Sequence, residues 1–282
     1  MPNYESLLYD VNERVCTITL NRPEKLNALS YLMRQELLKA LKLAEMDEEI
    51  GCVIIKGAGK AFSAGYDITP VDPSPNRPIE GYHSEVLDSI TGAYAHDLIR
   101  TWWVIWDLLK PVIAQVHGYC LAGGSELASM CDLMFVANDA QLGYPPIRAM
   151  SVPDTMYFPW KLPMSKAKLL LLTGNAATGE EAAEWGWATR AFPNEQLEEG
   201  TFRVAKSIAS IAIDELALLK RSINRSYEIM GIRAALEVGA DIQALSNLRE
   251  SAGEFRRISE EKGLRGALEW RDGPFGDYSA SR

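Results

Sequence analysis

Residues 112–137 read VIAQVHGYCLAGGSELASMCDLMFVA, and few folds accommodate that order of residues. VIAQV is short, apolar and rich in β-branched side chains, which marks a buried strand bounded by Gly118. A short helix is predicted from about Gly124 to Cys131, and DLMFVA returns as a strand. Strand, glycine loop, short helix and strand in succession give a layered α/β architecture with a small crossover. Glu126 sits among Leu127, Ala128 and Met130. A carboxylate in such surroundings is costly unless it has a partner or a task. Each helical glycine also costs roughly 1 kcal/mol relative to alanine. The two oddities share one explanation. A helix N-terminus exposes unpaired N–H groups and the positive end of a dipole, and glycines let a ligand oxygen approach them. Glu126, one turn in, would then face the same pocket as a general acid or base.

The rest of the chain extends this pattern. SLLYD and RVCTITL are predicted strands, and NRPEKLNALS is a loop ending in Ser30, placed to N-cap a helix that runs to about Met46. GCVIIKG is a glycine-bounded strand, followed by the small-residue loop AFSAGYDITP. The prolines of PVDPSPNRP rule out regular structure there. A helix is expected over 86–109, stopped by Pro111. TGEE at 178–181 is a Thr-x-x-Glu capping box, and ATRAF is a last short strand. Helical patterns dominate from about Glu195. The chain therefore divides into an α/β core over 1–200 and a helical C-terminal region over 201–282.

Composition narrows the function. A formal net charge of −9 argues against a nucleic-acid partner, which would call for a basic face. TWWVIWDLL is too short to span a bilayer and is interrupted by Asp107, so no membrane association is expected. Cys16, Cys52, Cys120 and Cys131 lack metal-like spacing and have apolar neighbours; they read as reduced core residues. MPNYESLLYD has neither the basic nor the apolar region of a signal peptide. A cytoplasmic location is therefore expected. GAGKAF lacks the third glycine of a dinucleotide fingerprint and the Lys-Ser/Thr of a P-loop, and GGSEL is not a GxSxG elbow. His83, His96 and His117 are too scattered to suggest a metal site or a triad.

Three stretches, NRPEKLNALS at 21–30, GKAFSAGYDI at 59–68 and HGYCLAGGSELASMCD at 117–132, resemble in sequence and order the crotonase (enoyl-CoA hydratase/isomerase) superfamily. TGNAATGEEAAEWGWATRAF at 173–192 resembles its late helix-and-strand segment. The resemblance implies a spiral of repeated ββα units with a C-terminal helical region that packs in a homotrimer or a dimer of trimers. It implies an acyl-CoA substrate and no cofactor beyond the coenzyme A of that substrate. By motif position, the oxyanion hole falls on the backbone N–H groups of Tyr66 and Gly123. CoA and acyl contacts fall on Lys25, Leu26, Ala28, Ala64, Asp67, Ile68 and Pro146, and Glu126 matches the first catalytic glutamate.

The chain departs from the pattern at one informative place. The hydratases' second glutamate stands twenty positions after the first, and that position here is Pro146. Eight residues further on comes Asp154. In some divergent branches, dienoyl-CoA isomerases and a dehalogenase among them, an aspartate at the equivalent place reaches the active site. Asp154 is therefore either the second catalytic carboxyl or the N-cap of a helix beginning near Thr155. Hydration or isomerisation of an enoyl-CoA is the leading expectation. Thioester or C–C hydrolysis, or acyl-CoA binding without catalysis, are the alternatives.

Overall fold

The structure, a computed structural model, describes residues 3–68, 91–249 and 251–276. The proline-rich insertion from Thr69 to His83 lies outside the described residues, as does the start of the helix expected over 86–109. The chain opens with the hairpin β1 (Leu7–Asn12) and β2 (Val15–Leu20). Glu13 and Arg14 both take positive φ at its tip, as a two-residue turn matched to strand twist requires. Helix α1 (Tyr31–Met46) follows, and the Ser30 side chain accepts the Met33 N–H as predicted.

From there the chain supplies short strands in pairs. These are β3 (Cys52–Gly57) with β4 (Ala61–Ser63), β5 (Val112–Val116) with β6 (Tyr119–Leu121), and β7 (Leu133–Ala137) with β8 (Gln141–Gly143). The first member of each pair joins one sheet and the second joins another. With β9 (Ala177–Thr178) and β10 (Arg190–Phe192), the sheet orders are β1-β2-β3-β5-β7-β10 and β4-β6-β8-β9. Among the described strand pairs, β1/β2 and β8/β9 are antiparallel and the others parallel. The parallel strands β3, β5 and β7 are almost continuously buried, which explains their unbroken apolar sequences. Sequence alone missed β4, β6, β8 and β9, which are two or three residues long and show no period.

Between the strands stand α2 (Ala93–Asp107) and α3 (Gly123–Met130), the latter a residue earlier than predicted at each end. Every residue of α3 is buried, Ser125, Glu126 and Ser129 included. The capping box is present at α6 (Gly179–Glu184), after α4 (Phe158–Lys161) and α5 (Met164–Thr173). Helix α7 (Asn194–Ala209) packs across β2, β3, β5, β7 and β10, so the boundary expected at residue 200 falls inside a helix of the core. Helices α8 (Ile213–Ile229), α9 (Ile232–Ser246) and α10 (Ala252–Asp272) follow.

Asn27 fastens the loop before α1 to the β3–β4 turn. It is fully buried at φ 54°, and its Nδ2 donates to the Ala58 and Ala61 carbonyls, each at 2.8 Å. Its Oδ1 accepts the Arg22 N–H at 2.9 Å, and its carbonyl accepts the Ser63 hydroxyl at 2.9 Å. Each buried group left unpaired costs about 1–3 kcal/mol, and alanine tolerates the left-handed region less well than asparagine. Asn27→Ala is expected to lower stability by at least about 2 kcal/mol in urea unfolding. A loss below about 0.5 kcal/mol would show that the loop is held elsewhere.

Candidate active site

Two backbone segments meet at the mouth of α3. Leu29 donates to the Gly65 carbonyl and Asp67 donates to the Leu29 carbonyl, forming a parallel bridge that leaves the Tyr66 N–H on its outer side. Gly123 opens α3, so its N–H has no acceptor within the helix. Gly65 has φ 106°, and a Cβ there would stand 2.8 Å from the Ala122 Cβ and 3.2 Å from the Gly123 nitrogen. A Cβ on Gly123 would strike the Tyr66 ring at 2.7 Å. Glycine at both positions lets the two segments touch. Ala122, between β6 and α3, holds φ 48° despite its side chain, and the Ser125 hydroxyl donates to its carbonyl at 2.8 Å. Such strain persists only where the surroundings enforce it.

Glu126 is fully buried in the first turn of α3, not on its surface. Its Oε2 accepts the Tyr66 hydroxyl at 2.7 Å and its Oε1 accepts the Thr155 N–H at 3.1 Å. The Trp102 Nε1–H donates to the same Tyr66 hydroxyl at 2.9 Å, which orients it. Asp154, the residue before Thr155, is 5% exposed, and its Oδ2 lies 3.4 Å from the Tyr144 hydroxyl. Helix α4 begins at Phe158 with Tyr157 at its cap, so Asp154 does not N-cap a helix starting near Thr155. The structure thus brings Glu126 and Asp154 together. Burial, then the charge of Asp154, pushes the Glu126 carboxyl above the usual range, against the Tyr66 and Thr155 donors. Burial likewise raises Asp154, against the Tyr144 hydroxyl and the charge of Arg34. Two like charges in one dry site cannot both form freely, so the pair holds a proton between them well above ordinary carboxylate pH.

Several of the other predicted residues are held by backbone hydrogen bonds and ion pairs of their own. Ala64 donates its N–H to the Leu26 carbonyl at 2.9 Å, and Asp67 pairs with Arg22 at 2.8 Å and with the exposed Lys25 at 3.8 Å. The Ala28 carbonyl accepts from Arg22, and Ile68 is partly exposed at the end of the described loop. Pro146 is buried in the 3₁₀ turn Pro145–Arg148, where its carbonyl accepts the Ala149, Met150 and Ser151 N–H groups. Arg148 ties that turn to Asn175 and to Asp272 of α10 in the same chain, and stacks on Phe275 at 3.9 Å. Motif reading found the Tyr66 backbone but not its hydroxyl; Tyr144 stood out only as a neighbour of the catalytic loop, and neither it nor Trp102 received a hydrogen-bonding role, because both lie outside the stretches that carry the resemblance.

A sequence profile described as enoyl-CoA hydratase/isomerase matches residues 10–277. The chain belongs to the enoyl-CoA hydratase/isomerase family. A probable mitochondrial enoyl-CoA hydratase of Dictyostelium discoideum is 36% identical over 219 residues, covering 77% of this chain and 74% of that protein. A probable enoyl-CoA hydratase of Rhizobium meliloti (strain 1021) is 32% identical over 259 residues, covering 90% and 95% of the two chains. The crystal structure of an enoyl-CoA hydratase from Mycobacterium smegmatis superimposes with a TM-score of 0.88 at 30% identity, covering 98% of this chain and 96% of that one. These similarities identify this family member as an enzyme of the lyase or isomerase type that acts on acyl-CoA, with the crotonase fold.

The raised carboxyls have a consequence for stability. Between the ordinary carboxylate range and the raised values the native state holds more protons than the unfolded chain, so stability falls as pH rises through that window. Glu126→Gln removes one of these titrations. Its Tm relative to the unsubstituted enzyme should therefore rise more at about pH 8 than at about pH 5. A Tm difference that stays flat across that interval would contradict the raised values.

Proposed function

We propose that this enzyme hydrates or isomerises an enoyl-CoA, with Glu126 and Asp154 as its proton-transfer pair. The observation that carries this reading is the meeting of two buried, proton-sharing carboxyls beside two backbone N–H groups free to bind an oxyanion. The thioester oxygen would accept from the Tyr66 and Gly123 N–H groups as charge develops on it, and one such donor is worth about 2.7–4 kcal/mol in a transition state. In hydration, water adds to Cβ and gives its proton to the ionised carboxyl. The protonated partner delivers its proton to Cα, and the pair keeps one proton throughout. In isomerisation, a carboxylate removes a proton from one carbon and a carboxyl returns one to another. Two carboxyls in unlike settings suit this division of labour. Tyr66 and Trp102 hold Glu126 in place, and Lys25, Leu26, Ala28, Ala64, Asp67, Ile68 and Pro146 are assigned to the CoA and acyl walls. Carboxyls and amides suffice, so the reading calls for no cofactor beyond the substrate's coenzyme A.

The substitution of Pro146 for an acid favours hydrolysis as the second reading, with Asp154 activating water against the thioester. Incubation with crotonyl-CoA and a cyclic enoyl-CoA, followed by mass spectrometry, separates the two. A gain of one water supports hydration, an isomeric product of unchanged mass supports isomerisation, and free CoA supports hydrolysis. Glu126→Gln and Asp154→Asn should each lower kcat by roughly 10²–10⁴-fold. An unimpaired Glu126→Gln enzyme would defeat the assignment, and binding without turnover of any enoyl-CoA would favour an acyl-CoA-binding protein.

Self-association as a homotrimer or a dimer of trimers is part of the same proposal. Leu218 and Ile229 of α8, with Met230 after it, are 70%, 87% and 67% exposed, and Ile242 and Leu245 of α9 are also exposed. Apolar surface of this extent points to a covering partner. Light scattering should give three or six times the chain mass, and a monomer would refute it. Four buried, unpaired cysteines favour a reducing compartment, here taken as the cytoplasm.

A further inference from the structure

Arg34 is a buried cation that the chemistry above does not use. It lies on the inner face of α1, 4% exposed, and its Nε and Nη1 are sealed from solvent without a hydrogen-bond acceptor. Glu36 on the same helix and Asp67 next to Tyr66 are engaged elsewhere. Glu36 accepts from the Glu5 N–H and from both the N–H and the hydroxyl of Ser6, and Asp67 pairs with Arg22 and Lys25. What Arg34 does touch points into the site. Its Cζ lies 5.8 Å from the ring centroids of both Tyr31 and Tyr66. Tyr66 is the residue whose ring covers Gly123 and whose hydroxyl holds Glu126. The Arg34 charge also reaches Asp154.

Ring contacts engage a guanidinium's charge and leave its in-plane N–H donors unmet. Asp154 offsets part of the Arg34 charge but accepts no hydrogen bond from Nε or Nη1, and a purely aliphatic acyl chain would leave both donors unmet. A carboxylate meets them best, because its two oxygens match the guanidinium fork. Each carboxylate-matching edge of the fork includes either Nε or Nη1, the two unmet nitrogens of Arg34. We propose that Arg34 binds a carboxylate carried by the acyl group itself, making the enzyme selective for CoA thioesters of dicarboxylic acids over those of plain fatty acids. This rests on the reading of the pocket as an acyl-CoA site. It adds a substrate class that nothing in the family match specifies.

The test uses saturated thioesters, which offer no double bond to hydrate or isomerise, and intact thioester is verified by mass spectrometry during each titration. Glutaryl-CoA and adipyl-CoA are titrated calorimetrically against their uncharged chain-length matches, pentanoyl-CoA and hexanoyl-CoA. At least one dicarboxylic thioester should bind about tenfold or more tightly than its match. Arg34→Met, which keeps the side-chain bulk, should abolish that ratio, and Arg34→Lys should retain part of it. Thermal unfolding of both variants separates lost recognition from lost fold. Equal affinity within each matched pair, or a preference that survives Arg34→Met, overturns the role of Arg34 and leaves the acyl-CoA site standing. Failure of all four thioesters to bind would instead overturn the acyl-CoA site, and this assignment with it.

Discussion

The contact between the Gly65–Tyr66 backbone and the first residue of α3 organises the rest of the site. It exists because Gly65 and Gly123 lack a Cβ and because Ala122 is held in a left-handed conformation between β6 and α3. One closure sets the positions of both candidate oxyanion donors. It also lays the Tyr66 ring over Gly123, which brings its hydroxyl onto Glu126. Asn27 and Ser63 fix the other side of that contact. The two sheets keep these segments in register, since each strand pair places one member in either sheet.

Energetically the site works against the fold. Two carboxyls and a guanidinium are buried where apolar packing would be more stable, and burial is the largest influence on both acids. Their hydrogen bonds come from a tyrosine hydroxyl, a backbone N–H and a second tyrosine, and Trp102 orients the first of these. Stability is thus spent on poise: groups that titrate near neutrality are of more use to proton transfer than groups locked in one state.

Much of this was legible in the sequence. The apolar strands, the Ser30 and Thr178 caps and the burial of Glu126 follow from local pattern, and the structure places them as expected. The short strands of the second sheet were not legible, because two or three residues cannot display an alternation. Asp154 was ambiguous for a related reason: an aspartate after proline reads as a cap, and only the later start of α4 removes that role. Tyr66, Trp102, Tyr144 and Arg34 converge from four distant parts of the chain, and no spacing rule announces such a meeting. The boundary expected at residue 200 falls within α7, which looks like the helices after it although it packs on the sheet before it.

Asp154 and the N–H that holds Glu126 belong to adjacent residues. One peptide unit therefore serves both acids: it carries the first and anchors the second. If the segment between Tyr144 and Phe158 shifts, the carboxyls move as a coupled part, with neither able to drift out of register alone. Changes in the length or composition of that segment can then move Asp154 and the Thr155 N–H relative to α3 while the sheets, the glycine contact and the candidate oxyanion donors stay as they are.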